Sequence, residues 1–434
     1  MYEIVESRFL KRGLVLTAAL VCAIARPPVA AAQTTAPPIA RLTMEEAVRL
    51  AVDRNQDLRA QRLTIDMAKA DETTAALRPN INFSFDASGL PVFSPSQLTG
   101  STFKDVVGYD AGLGFTFERG GKRDKRILVA RDTTDVTAKN VFDAERNVRF
   151  QTEQAFIAVL LAKSSLQLAQ DNLASFKNVV DVNRQRVTSG DLSQGDFLMV
   201  TLQQLQFETD VSSANIGLIQ ARAQLRRLVG FDTVAENVDA VGDLMFHPYT
   251  VAIESLTAEA LASRPDLQAA ESGLKLAQDQ ALLERGNRAR DIGASAGYSK
   301  AGPDNTLGLG VSFDLPFGDR NQGNIAHADI AVRQAVEVQA AVRSTVLTDV
   351  ATAFAAYQTS AQVVKLYESG YLDQAKQSLD ISRYAYQRGA ADLLSLLDAE
   401  RTNRATQQAY RQALADFLSS VVQVNFVVGK QVMR

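Results

Sequence analysis

Tryptophan is absent from this chain, cysteine occurs once and histidine twice. A single cysteine excludes an internal disulfide. His247 and His327 stand alone, and Met44, Met67, Met199 and Met245 are scattered. Neither a zinc cluster nor a nucleophile–histidine–carboxylate set can be assembled from them. The glycine pairs do not have phosphate-loop spacing. The residues therefore point to no enzyme, no cofactor and no bound metal. Charge of one sign is also lacking: the formal sum is −3, which gives no reason to expect nucleic acid as a partner. After the first residues no apolar run approaches the ~20 residues of a spanning helix. If the mature chain crosses a membrane, it does so as a barrel.

The one apolar stretch at the start reads as a signal peptide, residues 1–32. Lys11 and Arg12 precede Leu14–Ala25, and Ala30-Ala31-Ala32 offers small residues for cleavage. Cys22 lies inside it, and Ala19-Leu20-Val21 lacks the small residue that precedes a lipid-modified cysteine. The mature protein is expected to be cysteine-free and unlipidated.

Proline is missing where it matters most. Two runs of about 65 residues, Arg123–Thr188 and Gln322–Gln387, contain none, so each can be one helical rod of ~100 Å. In the second, Val342, Val346, Val350, Ala353, Tyr357, Ala361 and Val364 recur every three or four residues and form one apolar stripe. A rod with one stripe needs neighbours: its own return helix, and rods of other subunits.

What precedes each rod has the opposite period. Thr43 and Glu46 have capping-box spacing and open a first helix, broken near Asn55 and stopped by Arg78-Pro79. Residues 80–87 alternate, with Ile81, Phe83, Phe85 and Ala87 on one face. After a Gly/Pro/Ser-rich loop, Val107, Tyr109, Ala111, Leu113, Phe115 and Phe117 alternate with glycine, Asp110 and Thr116. Following the first rod and its return helix, Gly230 and a linker (231–255), the order starts again. Leu256-Thr257 echoes Leu42-Thr43, and Arg264-Pro265-Asp266-Leu267 echoes Asn55-Gln56-Asp57-Leu58. A second hairpin (291–317) carries Ile292, Ala294, Ala296 and Tyr298, then Leu307, Leu309, Val311, Phe313, Leu315 and Phe317. We read an internal duplication: a first repeat over 33–230 with its hairpin at 80–117, and a second over 256–434.

Each strand has the length that crosses an outer-membrane hydrocarbon layer. One face is apolar; the other is Gly, Ser, Thr, Asn and Asp, which suits a wet lumen. A soluble sandwich would bury the apolar face against a second sheet and turn the glycine-rich face outward. Four strands cannot close a spanning barrel, which starts at about eight, and an open edge in lipid leaves backbone groups unpaired. Several copies must then share one barrel.

The rod ends carry a resemblance. Arg186-Val187-Thr188-Ser189-Gly190-Asp191-Leu192-Ser193-Gln194-Gly195-Asp196 and Tyr386-Gln387-Arg388-Gly389-Ala390-Ala391-Asp392-Leu393-Leu394 sit at matching places of the two repeats. With the duplicated order, they resemble the TolC-like outer-membrane factors of tripartite efflux and secretion systems. Phe117-Glu118-Arg119-Gly120-Gly121-Lys122-Arg123 and Leu315-Pro316-Phe317-Gly318 are similar to turns of the CzcC-like, heavy-metal-resistance branch.

The resemblance implies a mixed α/β membrane protein. Its homotrimeric 12-stranded β-barrel, four strands per chain, would continue into a long periplasmic α-helical coiled-coil tunnel. It further implies a periplasmic adaptor and an inner-membrane resistance-nodulation-division pump as partners, outer-membrane lipid around the barrel, and a passive exit duct for metal ions or drugs. A protein-secretion duct and a non-conducting trimeric stalk or adhesin remain as alternatives.

It also places residues. Asp398, with Ser395 at the family's other ring position, falls at the periplasmic mouth, and Asp196 and Tyr386 fall where hydrogen bonds keep that mouth shut. Ala391 stands where an arginine usually shares this lock, and Arg388 is the nearby substitute. Arg186, Gly190, Leu192, Gly389, Leu393 and Leu394 are the expected adaptor contacts. Gly120, Gly121, Lys122, Arg123, Phe317 and Gly318 mark the junction of barrel and tunnel.

Overall fold

In the computed structural model, which describes residues 39–433, the first helix starts where the sequence predicts it. The expected signal peptide lies outside the described residues. After a short strand β1 (Ile39–Leu42), Thr43 caps α1 (Met44–Arg54): its hydroxyl accepts from the Glu46 amide, and the Glu46 carboxylate accepts from the Thr43 amide at 3.0 Å. Asn55 then caps α2 (Gln56–Ala75), accepting from the Leu58 amide, and its buried side-chain amide donates to the Leu228 carbonyl. The chain continues as β2 (Asn82–Ser88), a six-residue helix α3 (Gly100–Asp105) and β3 (Gly108–Phe117). Then come the 68-residue α4 (Lys122–Ser189) and its return α5 (Gln194–Val229). A strand β4 (Val234–Ala240), helices α6 (Ile253–Ser263) and α7 (Pro265–Asn287), and strands β5 (Ile292–Ala301) and β6 (Asp304–Phe313) follow. The last elements are α8 (Gln322–Leu366), α9 (Leu372–Gln387) and α10 (Leu393–Val428).

Four strands form one antiparallel sheet in the order β2-β3-β5-β6. Register turns the alternation of each strand into columns. Phe83, Leu113, Ala296 and Leu309 align across the sheet, as do Phe85, Ala111, Tyr298 and Leu307. The opposite face reads Ser84, Gly112, Gly297, Gly308 in one row and Asn82, Gly114, Ser295, Gly310 in the next. The apolar face is uncovered within the chain: Phe83 is 66% exposed and Leu309 83%. Among the described residues, both edge strands are unpaired on their outer sides.

Three expectations are corrected. The second hairpin ends at Phe313, not at residue 317, because β5 begins at Ile292, the partner of Phe313, and Pro316 has no amide to extend the ladder. The linker 231–255 contains β4, which pairs in parallel with β1 and buries Val234, Val238 and Ala240. The second rod is not continuous. A π-helical turn, Tyr367–Tyr371, separates α8 from α9, with Gly370 at φ 124°.

The packed interior lies among the helices. Val346, Val350, Ala353, Tyr357, Ala361 and Val364, the stripe predicted on the second rod, are buried in a cluster with Phe417, Val421 and Val424 of α10, and Val342 packs against it. A second cluster joins Phe156, Val159 and Leu160 of α4 to Leu218, Leu225 and Val229 of α5 and to the β1–β4 pair. A third, at the far end of the rods, holds Phe176, Val180, Phe207, Leu379, Tyr386 and Leu396. Side chains as fully enclosed as Phe156, Phe176 and Phe417 each contribute about 2–3 kcal/mol by leaving water.

A buried arginine fixes where several helices meet. Arg264, 3% exposed, precedes α7 and donates to Asp266, to Asp349 of α8 at 2.9 Å and to the Val427 carbonyl at the end of α10. Arg146 of α4 joins it, donating to the Phe426 carbonyl at 2.9 Å and facing Asp266 at 3.8 Å.

Candidate functional site

Where strands pass into helices, glycine makes the turn possible. Gly120 and Gly121 have φ of 74° and 64°, and a Cβ on Gly120 would lie 2.5 Å from the Gly286 carbonyl oxygen. Only glycine meets both the left-handed backbone and that approach of α7. Lys122 donates to Asp291 at 2.8 Å, and the Arg119 amide donates to the same oxygen. Arg123 reaches the Ala76 carbonyl at 2.7 Å, and Arg126 pairs with Glu118 and the Leu77 carbonyl. In the second half Asn321, at φ 60°, begins α8 and donates to the Glu284 carbonyl at 2.8 Å. Phe317 is 82% exposed there, and nothing lies within 4 Å of a Cβ on Gly318.

At the other end of the rods the two reversals share one geometry. Gly190 has φ 85°, with the Asp191 amide on the Arg186 carbonyl; Gly389 has φ 72°, with the Ala390 amide on the Ala385 carbonyl. These are left-handed helix terminations. The returning helices are then capped by Ser193, which accepts from the Asp196 amide, and by Asp392, which accepts from the Ser395 amide at 2.8 Å. Hydrogen bonds from Ser395 hold the Asp392 carboxyl below its usual 3.8.

Between the rods, the buried Tyr386 hydroxyl of α9 donates to Asn183 Oδ1 of α4, a residue with no exposed surface. Burial pushes the Tyr386 phenol above its ordinary 10, against the pull of Arg186 and Asn183, so it remains a proton donor. The Arg186 guanidinium lies 5.1 Å from the Tyr386 ring. Arg383 of α9 donates to Ser175 of α4 at 3.2 Å and to Glu400 of α10 at 2.7 Å. Arg404 of α10 closes the circuit to Asp210 of α5 at 2.6 Å. Four helices, two from each half, are thus tied by polar groups around the Phe176–Leu396 cluster.

Within one chain, the residues expected at the lock have these partners. Asp196 spends its carboxylate on the Ser193 hydroxyl of its own cap. Arg388 lies over the Tyr384 ring. It is Asn183 that receives Tyr386, because Asn183 falls on the same buried stripe of α4 as Phe176, Val179 and Val180. Asp398 is exposed and pairs with Arg401 one turn on, at 2.7 Å. Ser395 and Leu394 are exposed, whereas Leu192 and Leu393 are half-buried.

Asn183, Arg383, Glu400, Arg404 and Asp210 escaped the sequence reading. The signal was a polar residue at an apolar stripe position, and it is readable only once the stripe of α4 is phased. Among the described residues, no group of three or more His, Cys, Asp or Glu side chains is placed to hold a metal ion, and no helix is long and apolar enough to cross a membrane.

The model of the outer membrane efflux protein family matches residues 47–231 and again 256–430. The chain is similar to the cobalt-zinc-cadmium resistance protein CzcC of Cupriavidus metallidurans, 25% identical over 391 residues, which is 90% of each chain. It is also similar to the pyoverdine export outer membrane protein OpmQ of Pseudomonas aeruginosa, 24% identical over 393 residues, 84% of this chain and 80% of that one. A crystal structure of CusC superposes with a TM-score of 0.75 at 20% identity, covering 89% of this chain and 92% of CusC. The fold thus recurs in known outer-membrane channel proteins. The protein belongs to the outer membrane efflux protein family, close to its heavy-metal-resistance branch, as the outer-membrane channel component of an efflux system.

Proposed function

We propose that three copies of this chain close a 12-stranded barrel above a tunnel of their rods. The result is a passive exit duct for metal cations or drugs, fed by a periplasmic adaptor and an inner-membrane pump of the resistance-nodulation-division type. The observation that carries this is the sheet, which has one continuous apolar face, one face of glycine and short polar groups, and two open edges. In lipid those edges must find strands. Strand directions alternate from β2 to β6, so β6 of one copy can meet β2 of the next in antiparallel pairing, and the pattern closes after any whole number of copies. Three is the number the family resemblance implies.

The rods support the same reading. Along α5, Leu198, Leu202, Leu205, Ile216 and Ile219 are each more than half exposed, and their spacings of four, three, eleven and three residues, the eleven being three whole helical turns, make a stripe suited to a neighbouring helix. The two-repeat division, with 231–255 between, is supported by the recurring order of elements and by the two segments that the family model matches. The rod ends supply the remaining parts. Gly190 and Gly389 leave open space, in which an adaptor hairpin can approach Arg186, Leu192, Leu393 and Leu394. Asp398 and Ser395 line the mouth, near the Tyr386 tie and the Asp196 cap. Three Asp398 carboxylates ~6–8 Å apart in a wet pore repel by only ~0.5–2 kcal/mol per pair. Such a ring biases cation entry without sealing the mouth.

Purified protein added to planar bilayers tests the duct, and deletion of the gene followed by growth on cobalt, zinc, cadmium and antibiotics tests the cargo. Defined conductance steps and metal sensitivity are expected. A water-soluble monomer that passes no ions would end the reading.

A further inference from the structure

The collar between strands and helices carries a charge pattern that conduction leaves unused. Residues 76–80, 118–126, 284–291 and 318–321 together hold ten lysines and arginines against five carboxylates, in a chain whose net charge is −3. Some of these cations are neutralised: Lys122 by Asp291, Arg126 by Glu118 and Arg285 by Asp329. Among the described residues, Lys125 and Arg320 donate only to backbone carbonyls, of Gly120 and Pro316. The side chains of Arg78, Arg119 and Arg288 are exposed and form no hydrogen bond or ion pair with the described residues.

Register gives the pattern a direction. Phe117 pairs with Ile292 as the last rung between β3 and β5. Two residues beyond each strand end, at positions that a continued alternation would put on the face of Phe117 and Ile292, stand Arg119 and Arg290. Two columns of apolar side chains therefore end and turn cationic at the same level, ~7 Å beyond the last apolar pair. Arg290 reaches Asp319 at 3.5 Å, yet its Nε is buried and without a partner among the described residues. An arginine so placed lays its aliphatic stem on apolar surface and its head at the polar boundary.

We propose that this collar binds the phosphate groups of glycerophospholipids in the leaflet nearest the helices. Arg119 and Arg290 continue the lipid-facing columns, and Arg78 and Arg288 flank them at the ends of the helices that precede β2 and β5. The guanidinium fork matches two phosphate oxygens at once. The proposal rests on the reading of the sheet as barrel wall.

The test uses the full chain in neutral detergent, titrated with phosphatidylglycerol, with diacylglycerol and with inorganic phosphate, and followed by native mass spectrometry. The comparison is R78Q/R119Q/R288Q, which removes three side chains that bond to nothing described. Wild type is expected to retain phosphatidylglycerol, and the triple variant to bind it roughly 10–100-fold more weakly. Diacylglycerol should bind both proteins alike, and inorganic phosphate should bind neither tightly. Equal binding of phosphatidylglycerol by variant and wild type overturns the proposal, as does equal affinity for diacylglycerol or for inorganic phosphate. Conductance measured on the same samples separates the two readings. Conducting wild-type channels without lipid discrimination sink the collar alone, whereas absence of channels sinks the barrel and the collar with it.

Discussion

Single residues at the rod ends make the sharpest claims. Gly190 and Gly389 face open space yet sit at φ 85° and 72°. Alanine at either position should cost about 1–2 kcal/mol from backbone strain alone, with asparagine milder, read as a lower melting temperature in detergent. Tyr386→Phe leaves the enclosed Asn183 oxygen without its donor, at about 1–3 kcal/mol. Larger or more frequent openings in bilayers are the expected result, and replacing Asn183 by leucine as well should restore part of the loss. Glu153, half-buried on α4, shows a pH effect of defined sign. Burial, opposed by Arg149, pushes its carboxyl from 4.5 up to about 7. The raised value favours the neutral form in the folded chain, so Glu153 is harmless below pH 4.5. It becomes a burden as pH rises toward 7, and the burden is constant above that. Glu153→Gln should therefore melt like wild type at pH 4 and be more stable by about 2–3 kcal/mol at pH 8. Equal melting at pH 8 would mean that a neighbouring copy supplies Glu153 with a counter-charge.

At the level of elements, what the sequence discloses depends on whether a pattern has room to repeat. The four sheet strands were legible because eight or more residues alternate in each, and the stripe Val346–Val364 because it recurs over five turns. β4 was not, since Val234, Val238 and Ala240 are too few to stand out among Glu236, Asn237 and Asp239. The interruption of the second rod was hidden as well. A lone glycine is tolerated inside helices, and only the φ of 124° at Gly370 reveals the π turn. Arg264 shows the same limit: its echo of Asn55 was visible, but not its partners on α8 and α10. Arg264→Met takes the partner from Asp349, leaves Asp266 only Arg146 at 3.8 Å and frees the Val427 carbonyl, and is expected to destabilise the helical part by about 1–3 kcal/mol, measured by thermal unfolding. Gly370→Ala should lower stability by about 1–2 kcal/mol, or straighten the rod and shift cleavage by a protease near Tyr371.

For the molecule as a whole, the apolar face predicts where charge is forbidden. Leu309 lies mid-strand in β6 and is 83% exposed in the single chain. Leu309→Arg should cost about 2–4 kcal/mol in the barrel and reduce the oligomer that resists dissociation in gels, whereas Ser312→Arg on the opposite face should spare assembly and alter conductance.

The rows Ser84–Gly112–Gly297–Gly308 and Asn82–Gly114–Ser295–Gly310 have one more consequence. Along these two rows the face offers a passing molecule backbone, two hydroxyls and one carboxamide, and the carboxylates Asp86 and Asp110 stand in the next row. In the proposed duct these two rows would discriminate little between solutes, so choice of cargo would fall to the pump and adaptor upstream, and changing a few side chains at the rod tips would be enough to fit another supplier.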